Sequence, residues 1–169
     1  MDELYLIQPS IEHRSQYEAM MDEWELFGGR LNPGALSRYS HRWKRNVDYD
    51  EWLKWVEDDR KSTQNLYFLM AGNYLVGAIS VRYQCMGIDG HSGFGIRPSE
   101  RNKGYATRML SMALPFFKEY GINPVMLSCD KTNIGSAKTI TNNGGIFVKE
   151  VTDKTSGNIV QVYNLYLDD

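Results

Sequence analysis

Residues 94–107 read Phe94-Gly95-Ile96-Arg97-Pro98-Ser99-Glu100-Arg101-Asn102-Lys103-Gly104-Tyr105-Ala106-Thr107. The pattern is a strand that stops at a proline, a basic turn, and the opening of a helix. Within the turn Arg101, Gly104 and Ala106 stand in R-x-x-G-x-A spacing. A helix start leaves main-chain N–H groups without partners and carries a partial positive charge, so it attracts phosphate. Gly104 has no side chain to obstruct a ligand, and Ala106 has almost none. Arg101 and Lys103 add full positive charge. The physical implication is a diphosphate site made by the N–H groups of Asn102, Lys103, Gly104, Tyr105, Ala106 and Thr107, with the Thr107 hydroxyl as a further donor.

Working outward, His91–Arg97 reads as the strand that enters the turn. Its Gly93 and Gly95 weaken a strand and mark a bulge or a close main-chain approach by a ligand. The helix after the turn is expected over Gly104–Tyr120, ending at Gly121. Pro115 within it predicts a kink or a late-forming second half, because proline removes a helical hydrogen bond. Val125–Asp130 reads as a buried strand, Asn133–Asn143 as a helix stopped by Gly144-Gly145, and Ile146–Val151 with Ile159–Leu167 as a closing hairpin.

Upstream, Leu4–Gln8 is a first strand. Ser10 is placed to cap a helix over Ile11–Phe27, ended by Gly28-Gly29. Residues 30–47 read as loop with a short helix. Asp48 with Glu51 forms a capping-box pattern for a helix to about Arg60. Leu66–Ala71, the Gly72-Asn73 turn and Tyr74–Tyr83 read as a hairpin. The whole is an α/β chain: about seven strands in a mixed, mostly antiparallel sheet with helices on both faces, in a single domain over residues 1–169.

Length and composition fit one soluble globular domain, at 42% hydrophobic and 24% charged residues. A formal net charge of −2 argues against a general nucleic-acid binder. No apolar run reaches a membrane span, and no signal peptide is apparent, so a cytoplasmic location is expected. Cys85 and Cys129 fit no metal spacing, and His13, His41 and His91 are scattered, so no metal is expected. The phosphate loop G-x-x-x-x-G-K-[ST] and a dinucleotide G-x-G-x-x-G after the first strand are both missing.

The turn also resembles the acyl-CoA signature Q/R-x-x-G-x-G/A of the GNAT superfamily of N-acetyltransferases. The resemblance continues through Ser128-Cys129-Asp130-Lys131-Thr132-Asn133-Ile134-Gly135-Ser136-Ala137 to Asn143-Gly144-Gly145-Ile146-Phe147, covering roughly residues 65–150. It implies transfer of acetyl from acetyl-CoA, as cosubstrate, to an amine on a small molecule or protein. It implies that Phe94, Gly95, Ile96 and Arg97 line the pantetheine arm in a splayed strand pair, that Arg101 and the following turn hold the diphosphate, and that Asn133 and Ser136 contact CoA. Relatives that pair as dimers make a homodimer one implied arrangement.

Many members of the superfamily carry a tyrosine seven residues after the asparagine, where it protonates the departing thiolate. Here that position is Ile140. Members resembling ribosomal-protein N-terminal acetyltransferases put a serine three residues after the asparagine, and Ser136 stands there. A serine hydroxyl can donate to a developing thiolate; the structural alternative is a helix serine bonding its own backbone. His91 is the first candidate base, since its ordinary pKa suits the work. Asp89, Glu23 and Glu25 are others, and so is a water chain to a carboxylate. The preferred reading of a lone strand-edge histidine is a surface or packing residue. Met20, Trp24, Trp52 and Trp55 read as core. Acceptor choice is expected from residues 20–46 and Tyr83–Asp89. The alternative to an enzyme is an acyl-CoA-binding sensor without turnover.

Overall fold

In the computed structural model the described residues are 2–37 and 48–168. Seven strands and four α-helices follow one another as β1 (Leu4–Ile7), α1 (Arg14–Phe27), α2 (Tyr49–Asp59), β2 (Gln64–Ala71), β3 (Tyr74–Arg82), β4 (Phe94–Ile96), α3 (Tyr105–Glu119), β5 (Val125–Asp130), α4 (Ile134–Asn142), β6 (Ile146–Thr152) and β7 (Ile159–Leu165). The strands form two hydrogen-bonded sheets, β1-β2-β3-β4 and β5-β7-β6, and every pairing within them is antiparallel.

Two cores sandwich the first sheet. Along β2, Leu66, Phe68 and Met70 face α1 and α2, while Tyr67, Leu69 and Ala71 face the α3 side. The period of two places alternate residues on opposite faces, and both faces are covered, so Leu66–Ala71 is a continuous apolar run. On the α1/α2 side Tyr17 stacks on Trp52 at 4.4 Å, and Trp52 lies over Phe68 at 6.0 Å. Their polar tips point the other way. Tyr17 Oη donates to Leu36 O at 2.6 Å and Trp52 Nε1 to Ala35 O at 3.0 Å. These bonds hold the segment 34–37, with its single 3-10 turn at Gly34–Leu36, against the helices. The rest of the expected loop, 38–47, lies outside the described residues.

Local details depart from the sequence reading for identifiable reasons. The first helix opens with a 3-10 turn at Ile11–His13 before α1 begins, and Ser10 N donates to His13 Nδ1 at 3.0 Å. Asp48 caps α2 by accepting from Asp50 N at 3.0 Å rather than through a reciprocal bond with Glu51. Helix α3 runs on through Pro115 as one element. The strand expected over His91–Arg97 is regular only over Phe94–Ile96. Before it, the His91 N–H goes to Met126 O at 2.8 Å and the Gly93 N–H to the Ser80 hydroxyl at 3.0 Å. Those diversions leave the ladder with β3 one-sided there: Ser80 N still donates to Gly93 O and Arg82 N to His91 O, with no main-chain bond in return.

The two sheets therefore meet ahead of β4. His91 is the clasp: its N–H bonds Met126 O, and its Nδ1 accepts the Met126 N–H at 2.9 Å. Ser128 Oγ donates to Ile88 O at 2.5 Å beside it. Beyond this clasp β4 pairs with β3 alone, and a cleft opens between β4 and β5.

Candidate active site

The cleft has a volume of about 610 Å³ and runs from the turn before α3 to the loops beyond β3. Its two ends are built differently.

At one end stands the turn. Asn102 (φ 62°) and Gly104 (φ 81°) both adopt the left-handed conformation. Gly104 is the N-cap of α3, and Arg108 N–H closes the first helical bond on Gly104 O at 3.3 Å. Among the described residues, the N–H groups of Asn102 to Thr107 meet no acceptor. A Cβ on Gly104 would meet no protein atom within 4 Å. The glycine is thus required by its backbone angle, and the space beside it is open. Asn102, Gly104, Tyr105, Ala106 and Thr107 all line the cleft.

The two cations of the turn are less free than the sequence suggests. Arg101 Nε donates to Ile96 O at 3.0 Å, and its guanidinium lies over the rings of Trp24 (5.2 Å) and Phe27 (4.8 Å). Burial lowers its pKa, with Glu23 acting in the opposite sense. Lys103 is exposed and pairs with Glu100 at 2.9 Å. Arg97 is 7% exposed, ion-paired with Glu23, bonded to Leu75 O and set over Tyr74; its side chain faces away from the cleft lining. Glu23, a candidate base, is committed to Arg97 and to the Ser99 N–H at 2.6 Å. Burial opposes its ionised form, but those bonds win and hold its pKa below the ordinary value.

The middle of the cleft is walled by β4 and α4. Pairing along the β3–β4 edge alternates: Ser80 N bonds Gly93 O and Arg97 N bonds Val76 O, with Ala78 opposite Gly95 between them. In an antiparallel ladder the intervening residues turn their main-chain groups outward. Phe94 and Ile96 therefore face the gap toward β5, where Ile96 O is already taken by Arg101. Across the gap Asn133 caps α4, its Oδ1 accepting from Ser136 N at 3.1 Å. The Ser136 hydroxyl bonds no described residue, unlike Thr141, whose Oγ1 returns to Ala137 O at 3.0 Å. Ser136 lines the cleft, while Ile140 is fully buried in the core. Cys129 also lines the cleft, but burial, with Asp130 adding to it, pushes its thiol up to about 11. Such a thiol is a poor acyl carrier.

The far end is made of side chains brought from several elements, among them Asn32, Arg82, Asp89 and Ser92, and Trp24 stands between it and the turn, its ring under Arg101. Only Asp89 figured among the chemical candidates in the sequence. Trp24 gave no signal beyond the helical spacing that marks it as core, and it belongs to that core as well. His91 sits at this end but behind the lining. Burial, then Arg82, lowers its pKa, so the ring is neutral near pH 7. With its one lone pair on Nδ1 accepting from Met126, Nε2 carries the proton. Gly95 has a protein-built reason for being glycine: a Cβ there would collide with Asn32 O and come within 2.8 Å of Trp24 Cη2. Among the described residues no cluster of His, Cys, Asp and Glu suits a metal ion, and no helix is long and apolar enough to cross a membrane.

A family model for the acetyltransferase (GNAT) domain matches residues 4–146. No curated protein matches the chain by sequence. Solved structures share its fold. One is an acetyltransferase from Salmonella typhimurium that modifies the N-terminal serine of ribosomal protein L7/L12 (TM-score 0.72, 13% identity, 98% of this chain and 95% of that one). Another is the ribosomal-protein-S5-alanine acetyltransferase of Vibrio fischeri (TM-score 0.74, 12% identity, 100% and 96%). A third is the microcin C7 self-immunity acetyltransferase MccE in complex with acetyl-CoA and AMP (TM-score 0.73, 13% identity, 99% and 94%).

Proposed function

The chain belongs to the GNAT acetyltransferase family and is an acyltransferase, and from that premise we propose that it moves acetyl from acetyl-CoA to a primary amine by direct attack in a ternary complex. One observation carries this reading: six consecutive main-chain N–H groups, Asn102 to Thr107, stand without acceptors beside open space at the start of α3. Donors so arranged suit a diphosphate. The pantetheine arm would then extend along β4, bonding the outward main-chain groups of Phe94 and Ile96.

In the reaction the amine nitrogen bonds the thioester carbonyl carbon and the C–S bond breaks. The nitrogen gives up a proton and the thiolate gains one. A main-chain N–H at Phe94 or Ile96 donates to the carbonyl oxygen, and the bond strengthens as negative charge develops there. Ser136 donates to the leaving sulfur; its unengaged hydroxyl supports that role. His91 was the first candidate base, yet its lone pair is engaged with Met126, so we give it the work of holding the sheets together at the head of the cleft. The proton leaves through water to Asp89, a carboxylate in the cleft wall. Neither cysteine forms an acyl intermediate.

The test is calorimetry with acetyl-CoA followed by thiol release with a panel of amines. Binding and release with some amine is the expected result. Binding with no release across the panel would favour an acyl-CoA sensor, and no binding would remove the reading altogether.

A further inference from the structure

The far end of the cleft and its border with the turn contain donors that the fold leaves unanswered. Trp24 is 3% exposed and its indole N–H has no partner; Ser92 is 6% exposed and its hydroxyl has none. A buried donor without an acceptor is destabilising, and native structures retain few of them. Both residues line the cleft. Beside them is Arg82, whose Nη1 donates to the main-chain carbonyl of Asp89 at 2.9 Å. Among the described residues Arg82 has no carboxylate within ion-pair distance.

Gly93 and Gly95 bring these groups together. They are two residues apart on β4 and its lead-in, so they share one face. The Cβ position of Gly93 lies 3.1 Å from Arg82 Nη2, and that of Gly95 lies 2.8 Å from Trp24 Cη2. The indole and the Arg82 guanidinium therefore lie on the same face of the strand, beside the Asn32-Pro33 backbone that packs on the two glycines, and the indole ring also lies under the Arg101 guanidinium at 5.2 Å. Burial lowers the Arg82 pKa, and Arg30 nearby acts in the same sense while Asp89 opposes it. The cation is desolvated, and a second guanidinium is within electrostatic reach. Asp153 lies within electrostatic reach of Arg30 and Asp89 within reach of Arg82, but neither carboxylate is at ion-pair distance from Arg82. Asp153 is held by Thr155 N at 2.9 Å and Ser156 Oγ at 3.0 Å, and Asp89 is exposed.

We infer that the amine acceptor carries an anionic group, a carboxylate or a phosphate, which seats on Arg82 and takes the Trp24 indole N–H while the amine reaches the thioester. The inference rests on the acetyl-transfer reading and assigns its acceptor a chemical class: bipolar amines, in preference to polycations. A linear polyamine would bring only positive charge to this end of the cleft.

The experiment uses the full chain with saturating acetyl-CoA and follows thiol release from matched amines. These are an α-amino acid beside its carboxamide, an aminoalkyl phosphate beside its amino alcohol, and a linear polyamine. The expected result is a kcat/KM about tenfold or more higher for the charged member of one pair; the pair that responds tells carboxylate from phosphate. In Arg82→Gln that ratio should collapse toward one, and Arg82→Lys should retain part of it. Trp24→Phe, which keeps the ring and removes the N–H, should lower it severalfold. If Arg82→Gln fails to fold, the ratio in the unaltered protein still decides. Equal rates within both pairs, preference for the polyamine, or no release from any amine while calorimetry shows acetyl-CoA bound would each overturn the proposal. Loss of acetyl-CoA binding itself would overturn the phosphate cradle and this inference with it.

Discussion

The two ends of the cleft offer different groups to the ligands proposed for them. The turn at residues 101–107 offers main-chain N–H groups, shaped by two left-handed residues and a helix start. The far end, with Trp24 of α1 at its border, offers side chains from β3 and the segment before β4, packed against glycines that leave room for them. Main-chain recognition needs only a local backbone path, and a few adjacent residues encode it. Side-chain recognition needs distant elements brought into register, so it depends on the whole sheet.

The largest effect is expected at Gly104. Gly104→Val adds a branched side chain where only a ligand would fit, at φ 81°. We expect acetyl-CoA affinity in calorimetry to fall by about a hundredfold or more, with the far end intact and the circular dichroism retained. Its counterpart is Gly95→Val, where the new atoms strike Asn32 O and Trp24. Overpacking of this kind costs about 1–3 kcal/mol, read as a lower midpoint in urea. The damage should appear in acceptor KM more than in acetyl-CoA affinity.

Ser136→Ala tests the chemistry proposed between the two ends. Turnover should fall by about tenfold, with the acetyl-CoA dissociation constant unchanged; unchanged turnover would remove its role. The clasp is tested by pH. Burial depresses the His91 pKa below its ordinary 6.5, so in acid the unfolded chain takes up its proton first. The stability it contributes is present above pH 6.5 and is lost as pH falls below that value. His13 is depressed in the same sense, so the measurement is the difference between the parent and His91→Gln in urea titrations from pH 7.5 to 5. The parent should lose more, and equal losses would deny the clasp. The smallest effect is expected from Lys103→Ala, about twofold in acetyl-CoA affinity, because the ammonium is exposed and already paired with Glu100.

The legible part of the site follows this same division. R-x-x-G-x-A before a helix, the Asn133 cap and the strand at Val125–Asp130 all stand in the structure as the residues imply. What was misjudged involves contacts across many residues. Arg97 reads as a ligand contact, but Glu23, 74 positions away, claims it. Gly95 reads as an approach for a ligand and lines the cleft, while Asn32 and Trp24 supply a second reason for a glycine there that no local pattern shows. Trp24 reads as core, and nothing local marks its unpartnered N–H.

The order of strands and helices, the β2–β3 hairpin and the strand-turn-helix path proposed to hold phosphate are written in the sequence. Periodicity, caps and glycine angles act within a few residues, and the chain states them directly. Tertiary structure decided which cations are paired, where the sheets part, and which buried donors are left without partners. Those outcomes depend on desolvation and on partners from remote segments, and only the closed fold sets either one.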